Sequence, residues 1–344
     1  MTHIADVEAT ARALVAPGKG ILAADESSGT IKKRFDSIGL ESTEDARRDY
    51  REMLFRTPGL ADHISGVILF DETIRQSCAD GTSLVNVLES AGMIPGIKVD
   101  TGAKELALHP GEQVTEGLDG LRERFAEYAK LGARFAKWRA VINIGHVEGR
   151  DIPSAFCMHA NAHAMARYAA LAQEAGIVPI VEPEVLMDGD HTIERCYDAS
   201  VATLRALFEQ LAAHDVLLEG TLLKTNMVLS GKDAPEQAGE QDVAEQTLRC
   251  FHQAVPSAIP GIVFLSGGQA DVPATVHLDV MNKMGPHPWE LSFSYGRALQ
   301  APSLKAWKGD AANVEAGQQA LLHRARCNGA ARDGRYSADM ENAA

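Results

Sequence analysis

The chain has 344 residues, of which 45% are hydrophobic and 23% charged, and its formal net charge is -14. This length can bury a large core without disulfides or structural metals, and the composition excludes collagen-like, low-complexity and wholly disordered classes. No apolar run approaches the roughly 20 residues of a membrane helix, and the acidity argues against a broad nucleic-acid surface while leaving room for a local basic pocket that takes a small anion.

Residues 1–20 hold the acidic Asp6 and Glu8 and lack the apolar centre of a signal peptide. The five cysteines, Cys78, Cys157, Cys196, Cys250 and Cys327, show no metal-knuckle or redox-pair spacing, so a reduced, cytoplasmic protein is expected. Short apolar runs then recur at residues 20–24, 66–70, 94–99, 134–138, 177–181, 216–220, 261–265 and 291–295. Runs of this kind suit parallel strands covered on both faces. Between them, residues 117–132 place Leu118, Leu121, Phe125 and Tyr128 at helical steps, and Pro153-Ser154 opens an Ala-rich helix that Gly176 stops. Residues 231–240 are polar and read as a loop. Eight strands alternating with helices predict an α/β (β/α)8 TIM barrel with an N-terminal helical extension, in preference to a doubly wound sheet or two domains. The expected organisation is one catalytic barrel over residues 1–328 and a flexible, small and polar tail over 329–344.

Charges inside these strands are out of place. Strand alternation puts Lys137 and Arg139 on one face, and likewise Glu182 and Glu184. Lys98 sits in the third run, Lys224 closes the run Thr221-Leu222-Leu223-Lys224, Asp25 and Glu26 end the first, and Arg297 follows the last. Each alone reads as a snorkelling side chain or half of an ion pair. Six strands with charges at their C-terminal ends mark the catalytic face of a barrel. No metal cage is expected: His159 and His163 share a helix face, but no third ligand stands nearby. No cofactor is expected either.

Ser266-Gly267-Gly268 after the seventh strand and Ser294-Tyr295-Gly296-Arg297 at the eighth fit a phosphate site of backbone N–H groups. Lys33, Arg34 and Lys98 supply cations expected across the mouth, so two anion sites would fit a bisphosphate. Several lysines without a metal fit imine chemistry. A lysine attacks a ketone as the neutral amine, a form favoured by desolvation and neighbouring cations. Lys137 and Arg139 can supply that field for Lys224, while Asp25, Glu182 and Glu184 can move protons. The residues alone lead to a Schiff-base lyase or isomerase acting on a sugar phosphate.

The blocks at residues 16–27, 66–70, 96–100, 135–139, 177–184, 218–224, 264–269 and 293–300 resemble class I fructose-bisphosphate aldolases, in the family's order and over about residues 14–308. The resemblance implies reversible cleavage of fructose 1,6-bisphosphate to dihydroxyacetone phosphate and glyceraldehyde 3-phosphate. It implies Lys224 as the Schiff-base residue, Glu182 as acid/base for the carbinolamine, Asp25 for the hydroxyl proton, and Lys137 as an orienting cation. Ser266, Gly267, Gly268, Ser294 and Arg297 resemble the ketone-side phosphate site, to which Arg34 contributes, and Ser27 and Lys98 match the distal one. Thr30 keeps a hydroxyl where the family often has serine. Family members are usually homotetramers. Three features depart from the pattern: Thr225 replaces a common proline, the last tyrosine is Tyr336 where family members end in one, and residues 145–151 do not align.

Overall fold

The computed structural model describes residues 2–342. Eight strands form the barrel: β1 (Gly20–Ala24), β2 (Ile64–Leu69), β3 (Ile94–Lys98), β4 (Phe135–Ile142), β5 (Val178–Val185), β6 (Leu222–Thr225), β7 (Gly261–Phe264) and β8 (Glu290–Tyr295). They pair in parallel in chain order, and β1 closes on β8 through Ile21 and Leu22 opposite Ser294 and Tyr295. Every position of β1, β2, β5, β6 and β7 is buried, as strands with an inner packed core and an outer helical layer require.

The alternating faces make two cores. Outward residues such as Leu22, Trp138, Val181, Leu223 and Phe293 pack under the helices. Inward residues Ile21, Ile68, Phe135, Val178, Ile180, Leu222 and Val263 fill the barrel, and Val7, Ala11 and Leu14 of the helix Thr2–Leu14 close its floor. Phe135 fits because Gly96 and Gly66 have no side chain. A Cβ on Gly96 would stand 2.3 Å from its ring, and one on Gly66 3.0 Å. The helix Ala155–Glu174 starts where Pro153-Ser154 predicts, with Ser154 accepting from Cys157 N.

Four expectations need correction. The sixth strand is Leu222–Thr225, while residues 216–220 form a turn ending in the short 3-10 helix Leu218–Gly220 that packs beneath the barrel. The helix expected over 117–132 spans only Leu121–Lys130, because Gly120 adopts a left-handed φ of 66° and leaves Leu118 outside. The boundary expected after residue 328 falls within the helix Val314–Arg332, where Asn328, Gly329, Ala331 and Arg332 are buried. Beyond it, Tyr336 N donates to Asp279 Oδ1 at 3.0 Å and its hydroxyl to Glu341 at 2.8 Å, so residues 333–342 pack against the barrel's helices; residues 343–344 lie outside the described residues. His159 is exposed, and His163 bonds Gln210 on the helix surface. Residues 145–151 lie in an antiparallel pair, Gly145–Val147 with Arg150–Ile152. Among the described residues no helix is long and apolar enough to cross a membrane.

Candidate active site

The inward parity that builds the core also builds the mouth. Ile21 and Ala23 lead to Asp25, Phe135 to Lys137 and Arg139, Val178 and Ile180 to Glu182 and Glu184, and Leu222 to Lys224. Asp25, Lys137, Glu182 and Lys224 therefore meet above the last apolar layer. Lys137 Nζ lies 2.8 Å from Asp25 Oδ2 and 3.0 Å from Glu182 Oε2, and Lys224 Nζ lies 3.1 Å from Glu182 Oε1. The Lys137–Glu182 contact is an ion pair off the hydrogen-bonding direction, since Glu182 Oε2 has no hydrogen-bond partner. Lys137, Glu182 and Lys224 are all at most 4% exposed. Two cations and two anions compensate one another, which makes their burial tolerable.

Burial alone would raise the carboxyls of Asp25 and Glu182, but the charges of Lys137 and Lys224 outweigh it and hold both below the ordinary range. Burial likewise works against the charge of Lys137. Asp25, Glu182 and Asp100 prevail, and its pKa is raised. Arg139, similarly raised against desolvation by Glu184, bonds that carboxylate at the rim. Lys98 Nζ sits 3.1 Å from Asp100.

The surrounding cavity of about 440 Å³ is lined by every group expected at the site except Lys33, which points to solvent from the helix Ser28–Asp36. Ser27 and Thr30 share a hydroxyl contact of 3.2 Å on the β1 side. The residue pattern alone puts Arg34 opposite the glycine loops beside Lys98, and the family resemblance puts it with them; it pairs with Glu26 and lies next to Gly296, where a Cβ would stand 3.7 Å from its Nη2. Gly267 and Gly268 adopt positive φ of 54° and 96°, a turn that suits glycine. Gly296 follows β8 and caps the start of the helix Arg297–Trp307. Ser294 Oγ is buried without a partner. Ser266, Gly268, Gly296, Arg297 and Arg34 line the same cavity.

Glu26, which the sequence presents only as a strand-end charge, holds the β1 side of the mouth together. Its two oxygens take Arg34 and, at 2.6 Å, Arg51, while Gln300 donates to it at 2.8 Å and Tyr50 donates to Gln300. Its only sequence signal was adjacency to Asp25. Thr225, at the departure beside Lys224, donates its hydroxyl to Pro183 O at 3.2 Å and so ties β6 to the Glu182–Glu184 stretch of β5.

Residues 6–344 match the family described as Fructose-bisphosphate aldolase class-I. The chain belongs to the class I fructose-bisphosphate aldolases. It is 59% identical to the probable fructose-bisphosphate aldolase class 1 of Xanthomonas campestris over 328 residues, 95% of this chain and 97% of that one. The fructose-bisphosphate aldolase 1 of Toxoplasma gondii is 54% identical over 326 residues, covering 95% and 89%. The aldolase of Plasmodium falciparum, solved in complex with TRAP and a small molecule inhibitor, superposes with a TM-score of 0.96 at 48% identity over 98% of this chain and 96% of that one. The enzyme is accordingly a carbon–carbon lyase. It reversibly cleaves fructose 1,6-bisphosphate to dihydroxyacetone phosphate and glyceraldehyde 3-phosphate in glycolysis and gluconeogenesis, through a lysine Schiff base.

Proposed function

We propose that Lys224 is the Schiff-base lysine and that Glu182 moves the protons of imine formation. The observation that carries this reading is the Glu182 carboxylate held between Lys224 and Lys137 in the buried mouth. Glu182 is ionised at rest, so it can accept the ammonium proton of Lys224 across 3.1 Å. The freed amine attacks the ketone carbon, and the resulting carbinolamine leaves its hydroxyl as water with the proton that Glu182 has taken. Lys137 keeps its charge throughout and balances whichever carboxylate is ionised. Asp25, held low, accepts the hydroxyl proton of the next carbon but one; the carbon–carbon bond then breaks and its electrons pass into the imine.

The ketone-side phosphate takes Ser266, Gly267, Gly268, Ser294, Gly296 and Arg297 with Arg34, supported by the glycine turn, the opening of the helix Arg297–Trp307 and the unpartnered Ser294 hydroxyl. Ser27, Thr30 and Lys98 take the distal phosphate. Arg139 and Glu184 hold one another at the rim, where Arg139 contacts substrate and Glu184 is a further proton carrier.

The test is Glu182→Gln. Turnover should fall by ~10²–10⁴, the usual worth of a positioned acid–base group, and rapid-quench analysis should show slowed imine formation. Imine formation at the parent rate would reject the role. The reading extends to a homotetramer in the cytoplasm. Support comes from the assembly usual in the family and from five free cysteines, and sedimentation at four times 36.9 kDa would bear on the first point.

A further inference from the structure

One cluster of metal-ligating side chains stands apart from the mouth. His323 and Cys327 are four residues apart on the helix Val314–Arg332, which brings them to one helix face. Glu341, from the short 3-10 helix Ala338–Asn342, folds back onto the same face. His323 Nε2 lies 3.8 Å from Cys327 Sγ and 3.9 Å from Glu341 Oε2, and ligand atoms of all three fall within 4.8 Å of one another. Cys327 is buried, while the other two are half-buried at the protein surface, which leaves an entry path.

We propose that His323, Cys327 and Glu341 bind a borderline-soft divalent cation of the Zn²⁺ class, fastening residues 333–342 to the helix Val314–Arg332. A thiolate, an imidazole and a carboxylate together select Zn²⁺ over Mg²⁺ or Ca²⁺, which take all-oxygen shells. Bonds of about 2.0 to 2.3 Å in tetrahedral array need ligand atoms roughly 3.3 to 3.6 Å apart. The observed separations to His323 are only a few tenths of an ångström longer, within reach of small side-chain rotations. Supporting contacts are already in place: Tyr336 donates to Glu341 Oε1 at 2.8 Å, and Arg324 bonds Oε2, so the carboxylate is oriented before any ion arrives. On binding, the Cys327 thiol releases its proton to solvent. Three protein ligands leave a fourth position for water.

The site is separate from catalysis, since none of the three residues lines the mouth. It is tied to the barrel through Arg324, which donates to Thr275 at 2.6 Å on the helix Asp271–Lys283.

Cobalt titration of the reduced, metal-stripped full-length chain tests the proposal. One equivalent of Co²⁺ should bind with a thiolate-to-cobalt absorption band that Zn²⁺ abolishes by displacement. The band should vanish in Cys327→Ser. Should that buried substitution prevent folding, His323→Gln and Glu341→Gln lie at the rim and should each weaken Co²⁺ at least tenfold. Zn²⁺ should also slow tryptic cleavage after the exposed Arg335 in the parent and not in Glu341→Gln. Absence of the band, or binding and tryptic protection unchanged in the rim variants, overturns the proposal.

Discussion

The two ends of the barrel are built by the same strands and carry opposite chemistry. Along one face of β4, Phe135, Lys137 and Arg139 succeed one another, and along β5 Val178 and Ile180 give way to Glu182 and Glu184. The floor is apolar, filled by Phe135 and closed by Val7, Ala11 and Leu14, so burial there stabilises the fold directly. At the mouth the same burial falls on charged groups. Their desolvation is offset only because Lys137 and Lys224 face Asp25 and Glu182. One end supplies stability, and the other spends part of it on a preorganised field.

Damage to the mouth should therefore remove chemistry and leave the fold. Lys224→Met keeps the apolar stem and deletes the amine. Turnover should fall by more than ~10⁴, as loss of a nucleophile does, with circular dichroism retained and the melting temperature lowered by the Glu182 charge left without Lys224. Damage to the floor should do the reverse. Phe135→Ala should cost about 3–5 kcal/mol in denaturant unfolding, while kcat in the folded fraction changes by less than about tenfold.

Acid acts on the titratable groups in and around the mouth, since the floor carries none among Val7, Ala11, Leu14 and Phe135. Burial holds the His277 imidazole down to about 4, and its Nδ1 faces Gln269 Oε1 at 2.7 Å. Gln269 O in turn accepts from Arg297. The unfolded chain takes the imidazole proton first, so this contribution is complete above about pH 6.5 and is lost as pH falls toward 4. The loss amounts to about 3 kcal/mol, read as a falling melting temperature that His277→Gln should flatten. The depressed carboxyls of Asp25 and Glu182 keep their contribution down to about pH 4, below which it too is lost. The smallest effect is expected at Thr225→Val. It removes the hydroxyl that holds Pro183 O and should cost about 1–2 kcal/mol, with a KM change of less than about threefold in steady-state assays.

The same contrast explains what could be read from the sequence. Charges such as Lys137 and Glu182 inside apolar runs stand out because a buried strand has no other reason to carry them. The expected site groups converge on one cavity for that reason, apart from Lys33, whose helix turns it outward. Residues 216–220 are as apolar as a strand, yet they pack under the barrel, and apolarity alone does not tell the two apart. The end of the chain misled in the other direction. Its small, polar composition conceals a helix whose Arg332 is buried beside Val15 O and Glu290, and whose Gly329 packs where a Cβ would stand 2.6 Å from Gly18 O. Glu26 stayed without a role because its partners Arg51 and Gln300 are distant in sequence and meet it only in three dimensions.

The central claim is that the imine forms on Lys224. Borohydride reduction of the enzyme mixed with dihydroxyacetone phosphate, followed by peptide mapping, tests it most directly. One stable adduct per chain is expected, on the peptide containing Lys224 and absent from Lys224→Met. An adduct on Lys137 or Lys98, or no adduct in an active preparation, would contradict it.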